Sequence, residues 1–457
     1  MTELTAQQAL GMEKIKNWYE SASERGAGLD PEWIGAGFSA DVFRWFGYAG
    51  TGKTFTAARI PEALGLSRVA FGTYTGKAAS VLRRSLQRYG VGYPVSTIHS
   101  AIYLPTTSAE ARQALEDARM DQLANASSIE KARTAGVPRE ILDKLEGRRL
   151  ELEAQLPELE ANAKRLRFEF NPMAEWGSME LIVLDEVSMV NAKLAADIES
   201  LGVPILVLGD PAQLPPVEGG GYYTDAEPDH LLTDVMRQAL DNPVLELATR
   251  VRESTTGRLG LTDADVRPAS LAEAMEHDQV LCWSNKRRWA MISAMRRKLG
   301  FPEGEVMGKH HGRPGDRIMC LTNNKDLGVF NGEQFDVLAV TPGTLGPTLT
   351  VITETGAHRD IPAYSDGFQG QELQVQAKNS GAGQKGNRML ATFAQAITVH
   401  KAQGSEWDSV YVVNETPAMI GMVSRSKGSR AGIEQGRQWL YTAATRAKER
   451  LTITAPR

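Results

Sequence analysis

Eight residues, Gly47-Tyr48-Ala49-Gly50-Thr51-Gly52-Lys53-Thr54, constrain this chain more than any other stretch. The apolar residues before them (Val42, Phe43, Trp45, Phe46) read as a short buried strand, and a helical pattern opens at Phe55. That is the strand–loop–helix setting a G-x-x-x-x-G-K-[ST] phosphate loop requires. Gly47, Gly50 and Gly52 permit the tight turns that aim successive N–H groups, and the next helix N-terminus, at one anion. Lys53 is then expected to reach the β- and γ-phosphates, and the Thr54 hydroxyl to ligate Mg²⁺. ATP and Mg²⁺ are the expected ligands.

Further apolar runs end in side chains that suit the same chemistry. Leu181-Ile182-Val183-Leu184 leads into Asp185 and Glu186, the pattern of a buried parallel strand delivering acids to a crevice. Asp185 is expected to hold Mg²⁺ through water and Glu186 to act as general base on the attacking water. Ile205-Leu206-Val207-Leu208-Gly209-Asp210 runs on to Gln213, an uncharged amide suited to reporting on a γ-phosphate. Val69 to Tyr74 precedes Thr75-Gly76-Lys77-Ala78-Ala79, and Val95-Ser96-Thr97-Ile98-His99-Ser100 ends in a hydroxyl-rich turn. Both turns suit the backbone phosphates of a nucleic acid, although each taken alone reads better as a plain strand-to-helix connection. Arg446, in Trp439–Lys448, is of the kind that reaches across a domain cleft to a transferring phosphoryl group. Thr5 is a plausible helix N-cap, and Gln8 after it either meets an adenine edge or stays on the surface.

A chain of 457 residues allows two to four domains. Its net charge of −5 neither favours a nucleic-acid partner nor excludes one, since a local basic groove can sit on an acidic whole. Cys282 and Cys320 are the only cysteines, which removes a disulfide framework and a Cys-rich zinc site, and fits a cytoplasmic setting. Met1 to Glu20 is polar and unlike a signal peptide, and no apolar run reaches membrane-spanning length.

Between residues 111 and 170 the chain carries 12 acidic and 11 basic residues, far denser than its overall 23% charged. Leu145, Leu152, Leu159 and Leu166 repeat every seven, with Leu142 and Leu156 three residues before two of them, a coiled-coil-like seam. Two antiparallel helices broken near Gly136-Val137-Pro138 are expected, with Pro157 kinking or splitting the second. A solvated arm and a role on nucleic acid both remain open for this insert. Leu231 to Glu253 reads as helical and carries Arg237, and Val280 to Asn285 as a strand opening a helix. Arg317–Leu321, Gln334–Val340 and Thr348–Thr353 are Gly/Pro-punctuated strands that suggest a small barrel. The Gly/Ser/Arg-rich stretch Gly421 to Gly436 reads as a loop.

Taken in order, these stretches resemble the motifs of superfamily 1B DNA helicases of the RecD/Dda type, most closely the compact phage-type Dda proteins. Gln8 is similar to the Q motif, Gly47–Thr54 to motif I, Thr75–Ala79 to Ia and Thr97–Ser100 to Ib. Asp185-Glu186 resembles motif II, Gly209–Gln213 motif III, Arg237 the motif IV arginine, Thr398–Gly404 motif V and Tyr441–Lys448 motif VI. The resemblance implies two tandem RecA-like parallel-sheet domains of α/β class, with a helical insert in the first and a small SH3-like barrel in the second. Its boundaries are 1–104 with 171–230, 105–170 for the helical insert, 231–314 with 390–457, and 315–389 for the barrel. It implies ATP contacts from Gln8, the loop glycines, Lys53, Thr54 and Gly404, and catalytic roles for Lys53, Asp185, Glu186, Gln213, Arg237 and Arg446. DNA contacts are implied for Thr75, Lys77, Ala78, Thr97, His99, Asn285, Thr398, His400 and Lys401. The implied activity is 5′-to-3′ translocation on single-stranded DNA with duplex unwinding, by a monomeric motor. Its implied partners are single-stranded and forked DNA, together with replication or recombination proteins such as a single-strand-binding protein. A translocase that strips bound proteins, the motor subunit of a larger helicase–nuclease complex and an ATP-operated clamp are the rival readings. Only 46 residues precede the phosphate loop, and a long charged arm stands where the resemblance implies a short strand-separating hairpin.

Overall fold

The computed structural model describes residues 4–26, 41–163, 166–215, 221–236, 241–301, 312–324, 326–344, 346–354, 356–365, 368 and 388–456. The chain forms two units, one of Met1–Ile102, Pro172–Gly370 and Met389–Arg457, the other of Tyr103–Asn171 with Gln371–Arg388.

Two parallel sheets organise the first unit. One runs in the order Val95–Thr97, Val69–Thr73, Leu181–Asp185, Ile205–Gly209, Val42–Gly47 and His230–Leu232. The other runs Ala396–Thr398, Gln279–Cys282, Trp407–Val412, Ala447–Thr454 and Val266–Arg267. The inner strands of the first sheet are near-continuous apolar runs, the pattern of a parallel sheet covered on both faces. Val69–Thr73 and Ile205–Gly209 are buried at every residue. These are two RecA-like domains. His230–Leu232 pairs with Trp45–Gly47, so Leu231 and Leu232, expected to open a helix, are strand; Pro243–Glu253 is the helical part, capped by Asn242.

A third, antiparallel sheet has the order His358–Pro362, Thr348–Thr353, Gln334–Thr341, Arg317–Cys320 and Ala391–Phe393. Its two edges meet where Met389 N–H donates to the Pro362 carbonyl and Tyr364 N–H to the Met389 carbonyl. Ala391–Phe393, expected to belong to the second parallel domain, is therefore a strand of this sheet. Phe335, Val351 and Phe393 share one core with Val280, Cys282 and Ile292 of the second parallel sheet.

Gly421–Gly436 is not a loop. Helices Thr416–Lys427 and Ser429–Ala444 meet at Gly428, whose φ of 88° breaks the run. A Cβ on Gly432 would lie 2.3 Å from Ser424 Oγ and one on Gly436 2.8 Å from Ile420, so both glycines let the helices touch.

Tyr103–Thr107 and Leu166–Phe170 pair as an antiparallel ribbon in the second unit, where helices Ala109–Thr134 and Arg139–Ala163 form a hairpin. Leu166 lies in the ribbon rather than on the leucine seam. Pro157 neither splits nor ends its helix, because it is exposed and the carbonyl it leaves unpaired can face water. Among the described residues no helix is long and apolar enough to cross a membrane.

One fully buried ion pair, Arg296 with Asp316, ties the helix Asn285–Lys298 to the antiparallel sheet. The Arg296 guanidinium also lies 4.0 Å from the Phe393 ring centre. Removing one partner of such a pair leaves an uncompensated buried charge. Arg296→Met is expected to lower urea stability by about 3–5 kcal/mol. Adding Asp316→Asn should recover a large part of that loss, and equal stability of the single and double variants would show that the pair is not what matters.

Candidate active site

Strand register assembles the site. Thr73 lies opposite Asp185, Leu184 opposite Val207 and Phe46 opposite Gly209. Parallel strands in that register bring the Thr75 turn, Asp185, Asp210 and the phosphate loop to one carboxyl edge, where open α/β sheets bind ligands.

The loop turns left-handed at Gly50 (φ 77°) and Gly52 (φ 79°), which frees its amides and starts the helix Lys53–Ala57. Lys53 Nζ donates to the Gly47 and Tyr48 carbonyls at 2.6 and 3.1 Å, so its ammonium lies against the loop itself. Thr54 Oγ1 donates to Asp185 Oδ2 at 3.3 Å, and Asp185 Oδ1 accepts the Glu186 N–H at 2.8 Å. A hydroxyl and a carboxylate side by side, next to a loop built for phosphate, fit a hard cation such as Mg²⁺.

Glu186 has φ 56° and ψ 44°, left-handed backbone that is uncommon for a residue with a side chain. Its carboxyl is pushed up to about 7, chiefly by burial, with Arg446 pulling it down and Asp185 pushing it up. Burial likewise raises Asp185, against the Glu186 amide and Lys53. Arg446 is 4% exposed and donates to the Thr442 and Ser405 carbonyls and to Thr445 Oγ1. Among the described residues it has no carboxylate in ion-pair contact, an arrangement ready for an anion. Gln213 is buried too, and its Oε1 has no hydrogen-bond partner among the described residues.

Gln8 is neither at the surface nor turned outward. It is fully buried, its Nε2 donating to the Thr51 carbonyl at 3.0 Å and its Oε1 accepting the Thr5 N–H at 3.0 Å. Thr5 Oγ1 accepts the Gln8 N–H in return, a capping box that pins the helix start to the phosphate loop. Arg237 lies outside the described residues.

The remaining sites divide. Thr75 caps the helix Gly76–Arg88 by accepting the Ala78 N–H, and Ala78 is buried. Gly404 packs against this turn, since a Cβ on it would lie 2.8 Å from Ala78 Cβ, so the second RecA-like domain meets the first here. Gly404 thus faces Ala78 rather than the phosphate loop. Lys77 offers no free ammonium: it is buried, bonded to Glu354 at 2.7 Å and set 4.9 Å from the Trp407 ring centre. Thr97 Oγ1 donates to Ser100 Oγ, and exposed His99 meets Tyr74 edge-on. Asn285 and Lys401 are exposed, and Thr398 lies opposite Cys282 in the second sheet. Burial lowers the His400 pKa, which leaves its ring neutral near pH 7.

Sequence reasoning missed the contacts that join the two domains. Tyr441, Thr442 and Gln403 all bond to Asp210–Leu214, and Arg252 lies 3.8 Å from the Tyr48 ring centre. The first three stand inside stretches already singled out for Arg446 and Gly404, so proximity to those motifs was the available signal.

Tandem RecA-like sheets, a phosphate loop on the first and a buried arginine from the second define a P-loop protein. A family model described as AAA domain matches residues 36–267, and the chain belongs to that family. A second model, UvrD-like helicase C-terminal domain, matches residues 393–454. The ATP-dependent RecD2 DNA helicase of Deinococcus radiodurans is 30% identical over 287 residues, which is 59% of this chain and 36% of that protein. The RecBCD enzyme subunit RecD of Mycolicibacterium smegmatis is 27% identical over 457 aligned residues, 90% of this chain and 72% of that protein. Within the P-loop proteins the chain is thus of the superfamily 1B, RecD-like kind. Bacteroides Pif1 bound to single-stranded DNA aligns over 100% of this chain and 93% of its own, at 18% identity and a TM-score of 0.48.

Left-handed backbone at a residue with a side chain costs on the order of 1–3 kcal/mol, which glycine avoids. Glu186→Gly is therefore expected to raise the melting temperature. A fall in melting temperature would show that the Glu186 side chain stabilises the fold.

Proposed function

We propose that this protein is an ATP-dependent DNA helicase that moves 5′-to-3′ along single-stranded DNA. The observation that carries the reading is Arg446, brought by the second RecA-like domain close enough to act on Glu186 of the first, buried and with no carboxylate in ion-pair contact among the described residues. The names of its relatives support DNA as the polymer.

In this reading Glu186 takes a proton from water as the water oxygen attacks the γ-phosphorus and the bond to the β-phosphate oxygen breaks, releasing ADP. Lys53 and the loop amides hold the phosphates, Gln213 orients the water, and Arg446 neutralises charge that builds on the transferring group. Thr54 and Asp185 would hold Mg²⁺, which screens the phosphate charge. Arg237 is assigned the companion role of a second arginine.

Strand contacts follow from the same framework. Thr75 and His99 on one domain, and Asn285, Thr398, His400 and Lys401 on the other, are assigned to backbone phosphates. Thr97, whose hydroxyl donates to Ser100 Oγ, shapes its turn and gives that proton up only when a phosphate displaces Ser100. Ala78 shapes the first turn from below. Lys77, tied to Glu354, holds that turn to the antiparallel sheet instead of meeting DNA. Loss of the phosphate between the domains lets them separate, and each grips the strand in turn.

Lys53→Ala should weaken ATP binding and turnover together, whereas Glu186→Gln should bind ATP and hydrolyse it at least about 100-fold more slowly. ATPase activity should rise strongly with single-stranded DNA and fall off with salt, because phosphate contacts release counterions. A forked duplex with only a 5′ tail should be unwound in preference to one with only a 3′ tail. The opposite preference would overturn the direction, and DNA-independent ATPase the helicase reading.

Replacing residues 109–163 by a short Gly/Ser linker should leave DNA-stimulated ATPase largely intact, since none of the residues assigned to the nucleotide lies there. Unwinding should fall much more than hydrolysis. Collapse of the ATPase would instead mean that the arm supports the first RecA-like domain.

A further inference from the structure

The contact between the RecA-like domains is built around one hydroxyl. Tyr441, 1% exposed in the helix Ser429–Ala444, accepts the Ala49 N–H at 3.0 Å and donates to Asp210 Oδ2 at 2.7 Å. A phenol has one proton, so the direction of both bonds is fixed: the carboxylate takes the proton and the amide gives its own. Burial and the Asp210 charge hold the phenol well above its usual range, so it stays a donor at any working pH.

Asp210 is itself anchored. Its Oδ1 accepts the Ala212 N–H at 3.0 Å and its carbonyl the Gln213 N–H at 3.2 Å, which fixes the turn. Next to Tyr441, Thr442 Oγ1 accepts the Leu214 N–H at 2.8 Å, and Gln403 Nε2 donates to the Leu214 carbonyl at 2.8 Å. The second domain therefore grips Asp210–Leu214 at both ends, with Gln213 Oε1, which has no partner among the described residues, between them.

We infer that Tyr441 is a positioning residue through which the second RecA-like domain sets the phosphate loop and Gln213 for hydrolysis. The inference rests on the ATPase reading above and adds a component to it. When the helix Ser429–Ala444 shifts against the first sheet, it must either carry Ala49 and Asp210 with it or break both bonds. Tyr441→Phe keeps the ring and removes only the hydroxyl, which takes the partner from the half-buried Ala49 amide and from Oδ2 of the buried Asp210 carboxylate.

Two measurements on the full chain decide it. For Tyr441→Phe, kcat for DNA-stimulated ATP hydrolysis should fall by about tenfold or more, with KM for ATP held within about threefold. Hydrogen exchange at the Ala49 amide, without nucleotide or DNA, should quicken by about tenfold while core strands keep their protection. Asp210→Asn, which retains an acceptor for the phenol, should be milder, and the double variant should be no worse than Tyr441→Phe alone. Unchanged kcat with unchanged Ala49 exchange overturns the inference. So does a general loss of protection with kcat and KM both impaired, which marks a merely structural residue. Should the wild-type chain lack DNA-stimulated ATPase, the helicase reading fails by itself, and Ala49 exchange still decides whether Tyr441 holds the loop.

Discussion

The parallel register of the six-stranded sheet is what the rest of this molecule depends on. Hydrogen bonding fixes Thr73 beside Asp185 and Phe46 beside Gly209, so residues 112 and 163 positions apart in sequence end at one edge. Nothing in that edge is independently stable as a site. The loop amides point inward because Gly50 and Gly52 take left-handed backbone, and Thr54 meets Asp185 only because their strands lie in one sheet, with Ile205–Gly209 between them. A one-residue slip would turn every buried side chain to the other face. The continuous apolar runs of Val69–Thr73 and Leu181–Leu184, each buried on both faces, resist it less by alternation than by where their polar ends must fall.

Against that register the electrostatics run uphill. Desolvation raises both Asp185 and Glu186, and the backbone at Glu186 is held in a conformation that side chains disfavour. The compensation comes from elsewhere: the Glu186 amide bonds to Asp185, and Arg446 acts from a different domain. A site that is uncomfortable alone and relieved by its neighbour couples its own chemistry to how the domains are placed. The same logic applies to Gln213, whose buried Oε1 has no partner among the described residues, a condition natural cores avoid unless something else completes it.

Motifs set by local chemistry were legible in the sequence. The phosphate loop, the Asp185-Glu186 strand end and the break at Gly136-Val137-Pro138 each need particular residues at particular spacings, so a single chain displays them. Contacts made across long separations were not legible. Lys77 reads as a strand-binding lysine until Glu354, 277 residues away, is seen to hold it, and Gln8 reads as a surface amide until it is found under Thr51. Gly432 and Gly436 carry the signal of a loop because glycine serves both flexible turns and close helix contacts, and only the facing helix distinguishes them. Leu166 continues a seven-residue repeat by arithmetic, yet the ribbon claims it, since pairing with Thr107 satisfies backbone groups that a frayed helix end would leave open.

The arm shows how a repeat is made specific. On Ala109–Thr134 the less exposed positions are Ala111, Leu115, Ala118, Gln122, Asn125, Ile129 and Ala132, spaced alternately by four and three. Facing them, Leu142, Leu145, Leu152, Leu156 and Leu159 supply the apolar seam. Leucines alone would tolerate sliding by a heptad. Gln122 and Asn125 do not, because polar groups on the seam accept few neighbours, and Asn125 Oδ1 is buried with no partner among the described residues. Arg119–Glu160, Arg133–Glu146 and Asp121–Arg148 then flank the seam, pairing across an antiparallel hairpin. Such exposed ion pairs are each worth little in stability. Their sign pattern still penalises any other register, so the stiffness of this hairpin follows from what its polar residues forbid more than from what its leucines gain.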